Sequence, residues 1–343
     1  MRKMLNVLYV TAPEAFLAKD GENLVVKVSD DEVFRTPIHY LEGVVTFGYK
    51  GASPALLGLC AERGVTVSFL SEHGKFLARV SGPVKGNVLL RRKQYRMADS
   101  ITDSTKLASR FIMGKVANCR AVVRRFGSDH ADKSDPGNVE EVRREMAAGI
   151  VRLSKASSVE EVRGIEGEMA RYYFSVFDDM ILYQKDSFFM RGRSRRPPLD
   201  NVNALLSFLY TLLAHETKSA LETVGLDPYV GFLHRDRPGR PGLSLDLMEE
   251  FRPYLCDRLV LSLINRKQVT GDDFVVKESG GVIMKDKARK VLLEAWQKKK
   301  QEEINHPFLD EKIPLGLLPY AQALLLSRYL RGDLDDYPPF VVK

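Results

Sequence analysis

The stretch GVVTFGYKGASPALLGLCAERGVTVSFL, residues 43–70, decides the fold of the first part of the chain. Its two ends, Val44–Phe47 and Val65–Leu70, are short runs rich in Val and Phe, which is typical of β-strands. Between them, Pro54 and Gly64 mark the start and the end of a helix, because proline favours a first helical turn and glycine a helix C-terminus. The stretch therefore predicts a strand, a helix and a second strand.

Similar strand-like runs lie on both sides of this stretch, separated by turn residues: Val7–Val10, Leu24–Val28, Val33–Ile38 and Phe76–Val80. After about residue 102 the apolar residues recur every three or four positions instead, which indicates helices. The predicted helices are Ser104–Phe126, Val139–Leu153, Val159–Tyr173, Asn201–Val224, Leu243–Asn265 and Asp286–Lys300. An antiparallel strand pair is expected near Phe274–Val276 and Gly281–Met284.

These patterns predict an α+β fold. A small N-terminal β-rich domain (1–85) is followed by a basic helix or linker (86–101) and a larger all-α domain (102–331). The remaining residues, 332–343, form a C-terminal tail that is acidic and then rich in proline. We expect this tail not to pack into the core.

The composition limits the class of protein. A chain of 343 residues that is 44% hydrophobic can bury a full core. The first residues do not resemble a signal peptide, and no run of 18 apolar residues predicts a membrane span. The three cysteines are far apart, which favours small buried side chains in a reducing cytoplasm over a zinc site.

The charge is distributed unevenly. Residues 1–80 carry nine basic and nine acidic residues, so the whole net charge of +7 lies after residue 80. This asymmetry favours a polyanionic partner for the second part of the chain. The chain has neither a P-loop nor a glycine-rich dinucleotide loop, so it gives no indication of a nucleoside triphosphate site.

Three segments of the basic part carry residues that could bind a hard divalent cation. Glu166 lies on a predicted helix, and His234 lies at the edge of a loop rich in Pro and Gly. Asp246, Glu249 and Glu250 are spaced i, i+3 and i+4, which would place all three on one side of a helix. Each group also has a structural interpretation: an arginine partner for Glu166, an ordinary structural histidine, and a favourable helix-dipole position for Asp246.

Arginines form a candidate phosphate-binding segment just before the helix predicted over Asn201–Val224. Four of them lie within six positions, kept extended by Gly and Pro. Further basic residues follow His234 and precede the helix predicted over Asp286–Lys300. The candidate DNA-binding residues are Arg191, Arg193, Arg195, Arg196, Arg235, Arg237, Lys285 and Lys287.

Together these motifs resemble those of the CRISPR-associated endonuclease and integrase family of spacer acquisition. The resemblance rests on GIEGEMARYYF (164–174), RSRRPPLDNVNALLSFLYTLL (193–213), and GLDPYVGFLH (225–234) followed by SLDLMEEFRP (244–253). It covers nearly the whole chain, and the ending GDLDDYPPF (332–340) is similar to the subtype I-C branch.

The resemblance implies metal ligands and a reaction. The ligands would be Glu166, His234 and Glu249, with Asp246 and Glu250 in supporting positions. Glu249 departs from the Asp found in several relatives, which leaves open which acid touches the metal. Tyr173, Asn203 and Tyr210 are expected to shape the wall of the site. The bound ion would be Mg²⁺ or Mn²⁺, and the reaction would be attack of a DNA 3′-hydroxyl on a phosphodiester of the repeat array.

The resemblance also implies partners. These are double-stranded and branched DNA, a homodimer formed through the β-rich domain, and the small CRISPR-associated protein two. An iron–sulfur CRISPR-associated nuclease is a further expected partner, and the implied setting is a prokaryotic cytoplasm. The alternative is a catalytically silent DNA-binding scaffold of the same fold, in which the carboxylates only pair with arginines.

Overall fold

The protein is described by a computed structural model that covers residues 7–41, 43–71, 76–80, 82, 88–130 and 136–342. The chain divides into two compact units, Met1–Lys85 and Gly86–Lys343. The first is rich in strands and the second is mostly helical, which confirms the predicted α+β fold class. No helix in the described ranges is long and apolar enough to cross a membrane.

The first unit contains two sheets. Strands β1 (Val7–Val10), β5 (Gly43–Phe47), β6 (Thr66–Leu70) and β7 (Phe76–Val80) form one sheet in that order. Its first three strands are parallel and β7 is antiparallel to β6. The other sheet is antiparallel and consists of β2 (Ala15–Asp20), β3 (Asn23–Val28) and β4 (Asp31–Pro37). The sequence patterns predicted all of these strands except β2.

Helix α1 (Pro54–Arg63) connects the parallel strands β5 and β6, as a parallel pair requires. The Ser53 hydroxyl accepts a hydrogen bond from Leu56 N at 3.2 Å, and Gly64 ends the helix with φ +72°. The core of this unit includes the fully buried side chains of Leu17, Leu24, Leu56, Cys60 and Val67.

The second unit consists of nine described α-helices. Their bounds are α2 (Val88–Asp99), α3 (Ile101–Asp129), α4 (Pro136–Leu153), α5 (Val159–Ser175), α6 (Asn201–Thr223), α7 (Gly242–Met248), α8 (Arg258–Asn265), α9 (Asp286–Gln301) and α10 (Leu318–Arg331). Helix α3 packs against α4 and α5, and α6 packs against α7 and α10. The predicted pair β8 (Phe274–Val276) and β9 (Val282–Met284) is present, and a second pair, β10 (Glu303–Asn305) with β11 (Lys312–Pro314), was not predicted.

The helix predicted over Leu243–Asn265 is wrong as a single element. Helix α7 ends at Met248, and a π-helical turn over Arg252–Asp257, with Pro253 at its start, precedes α8. Proline lacks the N–H that a regular helix interior needs, so the backbone widens at this point. The break lies at Glu249 and Glu250, so Asp246, Glu249 and Glu250 do not share one side of a single helix.

The prediction that the C-terminal tail stays outside the core is also wrong. Tyr337 is 1% exposed and Phe340 is 0% exposed. The Tyr337 ring packs edge-on against Phe111 of α3, and the Phe340 ring lies 6.2 Å from that of Phe251. We call residues 336–342 the tail segment. Its two aromatic side chains bury enough apolar surface to order a stretch whose composition suggested a loose end.

Candidate metal centre

Asp246 positions His234 rather than sharing a ligand role with it. The Asp246 carboxylate is fully buried, and it accepts hydrogen bonds from the backbone N–H groups of Phe232 at 2.6 Å, Leu233 at 3.0 Å and His234 at 2.9 Å. Its Oδ1 also lies 2.6 Å from Nδ1 of the His234 ring. The carboxylate therefore holds the ring through Nδ1, which leaves Nε2 as the ring nitrogen not engaged by Asp246.

Two glycines let the His234 loop approach α7 this closely. A Cβ at Gly231 would lie 2.6 Å from Gly242 C and 2.7 Å from Asp246 Oδ2. A Cβ at Gly242 would lie 2.6 Å from the carbonyl oxygen of His234. Any side chain at either position would therefore push the histidine away from its carboxylate partner.

Glu166 is brought to the same region by α5. Ser158 caps this helix by accepting from Glu161 N at 3.1 Å. One turn before Glu166, Arg163 donates to the carbonyl oxygen of Leu233, with Nη2 at 2.5 Å. The arginine thus ties the helix of Glu166 to the loop of His234.

Glu166 and Glu249 meet at a single ammonium group. Nζ of Lys115, on α3, forms ion pairs with Oε1 of Glu166 and with Oε2 of Glu249, the second at 2.8 Å. Arg252 Nη1 donates to the other Glu249 oxygen at 2.5 Å. Two carboxylates from separate helices therefore face one position that a cation occupies.

The surrounding charges keep Glu249 and Lys115 ionised. Burial alone would raise the pKa of the Glu249 carboxyl. The charges of Arg252, Lys115 and His234 outweigh this effect and bring the pKa well below its usual range. Burial lowers the pKa of Lys115, and its two glutamate partners more than offset this, so the pKa is raised. Glu249 is a stable carboxylate here, as a metal ligand must be.

The donor set fits a hard divalent cation in chemistry, since it combines two carboxylates with one imidazole nitrogen. In the described ranges, however, no three His, Cys, Asp or Glu side chains stand close enough together to hold a metal ion. The Lys115 ammonium lies between the two carboxylates. Of the three expected ligands, Glu166 and Glu249 meet at that ammonium, and His234 is close enough for its charge to affect Glu249.

Tyr210 and Tyr173 lie beneath these carboxylates. The Tyr210 ring is held between two guanidinium groups, those of Arg252 at 4.0 Å and Arg193 at 5.1 Å from its centroid. Its hydroxyl donates to Asp257 Oδ1 at 2.5 Å. Tyr173 is buried beside the same aspartate, and burial raises the pKa of its hydroxyl.

A small cavity of about 30 Å³ lies against this network. It is lined by charged, aromatic and apolar side chains, including Lys115, Glu166, Phe174, Arg195, Tyr210 and Arg252. A cavity of this volume has room for a few water molecules beside the charged groups.

Asn203 lies at the start of α6 and organises the arginine segment instead of lining the cavity. Its Oδ1 accepts from Arg193 and from Ser194 N, and its Nδ2 donates to Gly192 O at 2.8 Å. Arg193 is half-buried and committed to Asn203 and Tyr210. The structure therefore makes it a support for the segment, in contrast to the prediction that it binds phosphate.

The other predicted phosphate-binding residues are exposed: Arg191, Arg195, Arg196, Arg235, Arg237, Lys285 and Lys287. Among them, Arg195 reaches the cavity. Arg235 lies 3.3 Å from Glu160, and Lys287 lies 3.4 Å from Asp273. The side chains of Arg235 and Lys287 are 64% and 77% exposed, so both cations remain accessible to a polyanion.

Glu250, which the resemblance places in a supporting position, has its carboxyl at the tail segment and not at the Lys115 ammonium. Its carboxyl is fully buried against the tail segment, where it accepts from Tyr337 Oη and Phe340 N, both at 2.7 Å. Burial raises the pKa of this carboxyl to about 8, against the lowering effect of these hydrogen bonds. The adjacent side chains of Glu249 and Glu250 therefore lie in different surroundings.

Three residues of this region were missed by reasoning from the sequence: Lys115, Arg163 and Asp257. Lys115 carries a signal in retrospect, because it falls on the apolar face of α3 between Ile112, Val116 and Cys119. A charged residue on a buried face needs a partner, and none is near in sequence. The other two carry no such pattern.

The chain is similar to known proteins over most of its length. A family model described as CRISPR associated protein Cas1 matches residues 8–298. The curated CRISPR-associated endonuclease Cas1 1 of Chlorobaculum tepidum is 54% identical over 341 residues, with 99% of each chain covered. The CRISPR-associated endonuclease Cas1 2 of Rhodospirillum rubrum is 52% identical, with 100% of each chain covered.

Solved structures share the fold at lower identity. A casposase bound to integration product superposes with a TM-score of 0.83 at 22% identity, covering 97% of this chain and 93% of that chain. A Cas6-RT-Cas1–Cas2 complex gives a TM-score of 0.82 at 21% identity, covering all of this chain and 36% of that chain.

A further sequence relative, a Cas4/Cas1 fusion of Geobacter sulfurreducens, is 37% identical over 98% of this chain and 60% of its own length. With a family model over most of its length and full-length relatives above 50% identity, the chain belongs to the Cas1 family of CRISPR-associated proteins.

Proposed function

We propose that this protein is a divalent-metal-dependent DNA endonuclease and integrase of CRISPR adaptation. The observation that carries the proposal is the meeting of Glu166 and Glu249 at one cation position. His234 stands nearby with its Nδ1 hydrogen bonded to Asp246. Relatives of this chain are named CRISPR-associated endonucleases Cas1, which supports the proposed nuclease activity.

When bound, Mg²⁺ or Mn²⁺ would polarise the phosphodiester and stabilise the charge that develops on it. Glu166, His234 and Glu249 would hold the ion. Asp246 keeps the His234 ring in the tautomer that presents Nε2. Arg195 at the cavity mouth would bind the DNA backbone, and the Arg252–Tyr210 stack would keep the floor of the site fixed while the strand enters.

The proposed substrates are double-stranded and branched DNA, and the proposed product is a repeat array that carries the inserted DNA, joined by attack of its 3′-hydroxyl. The proposed assembly contains a homodimer of this chain and the small protein Cas2. Similarity to a Cas1–Cas2 complex and to a Cas4/Cas1 fusion supports Cas2 and an iron–sulfur nuclease as partners. A subtype I-C system is our proposal for its setting.

One observation favours a second candidate, the catalytically silent DNA-binding scaffold. The Lys115 ammonium and the Arg252 guanidinium together already balance the charge of the two carboxylates without a metal. In that case the protein would bind DNA with a steep salt dependence and form no product with any divalent ion.

The experiment incubates the purified protein with labelled branched DNA in Mn²⁺, Mg²⁺ or EDTA. Glu166→Gln, His234→Ala and Glu249→Gln should each abolish cutting and joining while DNA affinity stays within about three-fold. The matched control is Glu168→Gln on the same helix, whose side chain pairs with Arg152 instead and should retain activity. Product formation in EDTA, or full activity of Glu166→Gln, would contradict the proposal, and DNA binding without any product would favour the scaffold.

A further inference from the structure

The tail segment lies along one face of α3. The residues of α3 that it meets recur every fourth position, which places them in a single stripe: Lys106, Arg110, Gly114 and Asn118. At one end, Arg110 pairs with Asp336, and Lys106 lies 3.4 Å from the same carboxylate. In the middle, a Cβ on Gly114 would lie 3.1 Å from Cβ of Pro339. The glycine therefore permits the close approach of the two chain segments.

Asn118 closes the other end of this stripe, and it is only 1% exposed. Its Nδ2 donates to the carbonyl oxygens of Phe340 at 2.9 Å and Glu250 at 2.8 Å. Its Oδ1 accepts from Val342 N at 2.8 Å. One amide group thus bonds α3 at once to the tail segment and to the backbone that follows Glu249.

Glu250 makes the same connection from the opposite side. Its carboxyl accepts from Tyr337 Oη, Phe340 N and Gln322 Nε2, the last at 3.0 Å. Gln322 of α10 also donates to Tyr337 Oη at 2.8 Å and to Pro338 O at 3.0 Å. The tail segment is therefore bonded to Glu250 through both a side chain and the backbone.

These contacts lie next to two parts of the candidate metal centre, the stretch of α3 around Lys115 and the backbone at Glu249. Gly114 precedes Lys115, and Asn118 lies one turn after it on the same helix. Glu250 follows Glu249, whose carboxylate lies 2.8 Å from the Lys115 ammonium. We propose that the tail segment is a positioning element of the active site, holding the backbone of Glu249 at a fixed distance from α3. Its consequence for catalysis depends on the function proposed above.

The kinetic test compares Asn118→Ala, Glu250→Ala and Glu250→Gln in the full chain, with rates expressed per folded molecule. The two alanine variants should lower kcat at least about ten-fold and leave KM for DNA within about two-fold, because a small displacement of a catalytic group slows chemistry without weakening binding. Glu250→Gln keeps the shape and an accepting oxygen, so it should stay within about three-fold of the wild-type kcat. Unchanged kcat in both alanine variants would overturn the proposal.

A stability control separates positioning from simple loss of fold. Glu216 accepts from the buried ammonium of Lys300 at 2.7 Å and from Trp296 Nε1 at 3.0 Å, and neither partner belongs to the tail segment. Glu216→Gln should lower the melting temperature but leave kcat unchanged. If Asn118→Ala does not fold, Tyr337→Phe, which removes one hydroxyl, replaces it in every measurement.

Hydrogen exchange tests the same proposal without any activity. Amides of residues 246–252 should exchange faster in Asn118→Ala than in the wild type, and not in Glu216→Gln. Faster exchange confined to residues 336–342 would refute a positioning role. A wild type without DNA cutting or joining would refute the proposed function, and the exchange result would still decide this inference.

Discussion

At the residue scale, Asp246 is the group on which the orientation of His234 depends. Its carboxylate accepts from three backbone N–H groups and lies beside the ring Nδ1. Asp246→Asn replaces one accepting oxygen by a donating NH₂ group, which would oppose a backbone N–H or the ring N–H. We expect strand transfer to fall about 10- to 100-fold, the usual effect of losing such a partner. A strand-transfer assay at saturating Mn²⁺ measures it; activity equal to wild type would show that the carboxylate is dispensable.

Lys115 offers a second residue-scale prediction, which concerns the metal. Lys115→Met removes the ammonium between Glu166 and Glu249 and leaves the half-buried carboxylate of Glu166 and the buried one of Glu249 with less compensation. Without divalent ions the variant should melt at a lower temperature than the wild type. Mn²⁺ should raise its melting temperature by more than it raises that of the wild type, because a ligand that binds the folded state stabilises it.

The matched control for this variant is Lys300→Met, which also removes a buried ammonium but leaves a single glutamate, Glu216, that is not one of the proposed ligands. It should lose stability without gaining a larger response to Mn²⁺. Equal Mn²⁺ responses of Lys115→Met and wild type would mean that the two carboxylates do not bind the ion.

At the element scale, the break after α7 explains why the acidic residues could not be placed from their spacing. Asp246, Glu249 and Glu250 would share one side of a continuous helix, and the apolar pattern continues through Phe251 and Leu255 without interruption. Periodicity reports which residues are buried, and it stays intact when a helix widens into a π-turn. Asp246 therefore faces the His234 loop, Glu249 faces Lys115 and Glu250 faces the tail segment.

The glycines give a prediction at the same scale. Gly231→Ala would place a Cβ 2.6 Å from backbone and 2.7 Å from the Asp246 carboxylate, so we expect a loss of about 2–4 kcal/mol in the free energy of unfolding. Gly167→Ala on α5 has nothing within 4 Å of its new Cβ, and it should stabilise the protein by up to ~1 kcal/mol. Chemical denaturation of both variants measures the difference. A Gly231→Ala variant as stable as wild type would refute the close approach of loop and helix.

At the scale of the whole molecule, the sequence patterns predicted the secondary-structure elements, because these depend on residues that are close in sequence. The change from short β-rich runs to long helices was visible, and so were both ends of α1, since Pro54 and Gly64 act on the neighbouring backbone. The pairing of Lys115 with Glu166 and Glu249 joins three distant segments, and no spacing encodes it. The burial of the tail segment was missed for the same reason: its partners Phe111, Asn118 and Glu250 lie more than 85 positions away in sequence.

Through the buried histidine His306, the free energy of unfolding of the second unit should depend on pH. Its ring is fully buried, with Nδ1 accepting from Phe308 N at 3.3 Å and Leu309 N at 3.2 Å, and Nε2 lies 3.0 Å from the carbonyl oxygen of the Gln322 side chain. Nδ1 cannot take a proton without opposing two donors. Burial lowers the pKa of His306 below the ordinary 6.5, although its bond to Gln322 raises it.

A histidine whose folded-state pKa is depressed contributes stability above the unfolded pKa and loses it as the pH falls. The advantage of wild type over His306→Gln should therefore be full at pH 7.5 and shrink below about pH 6.5, by up to ~1.4 kcal/mol for each pH unit until the folded pKa is reached. Urea denaturation of both proteins at pH 7.5, 6.0 and 5.0 measures it, with His39→Asn, at an exposed position, as the control. An advantage that is constant across this range would show that folding does not shift the pKa of His306, and one that grows as the pH falls would show that folding raises it; either result would contradict the prediction.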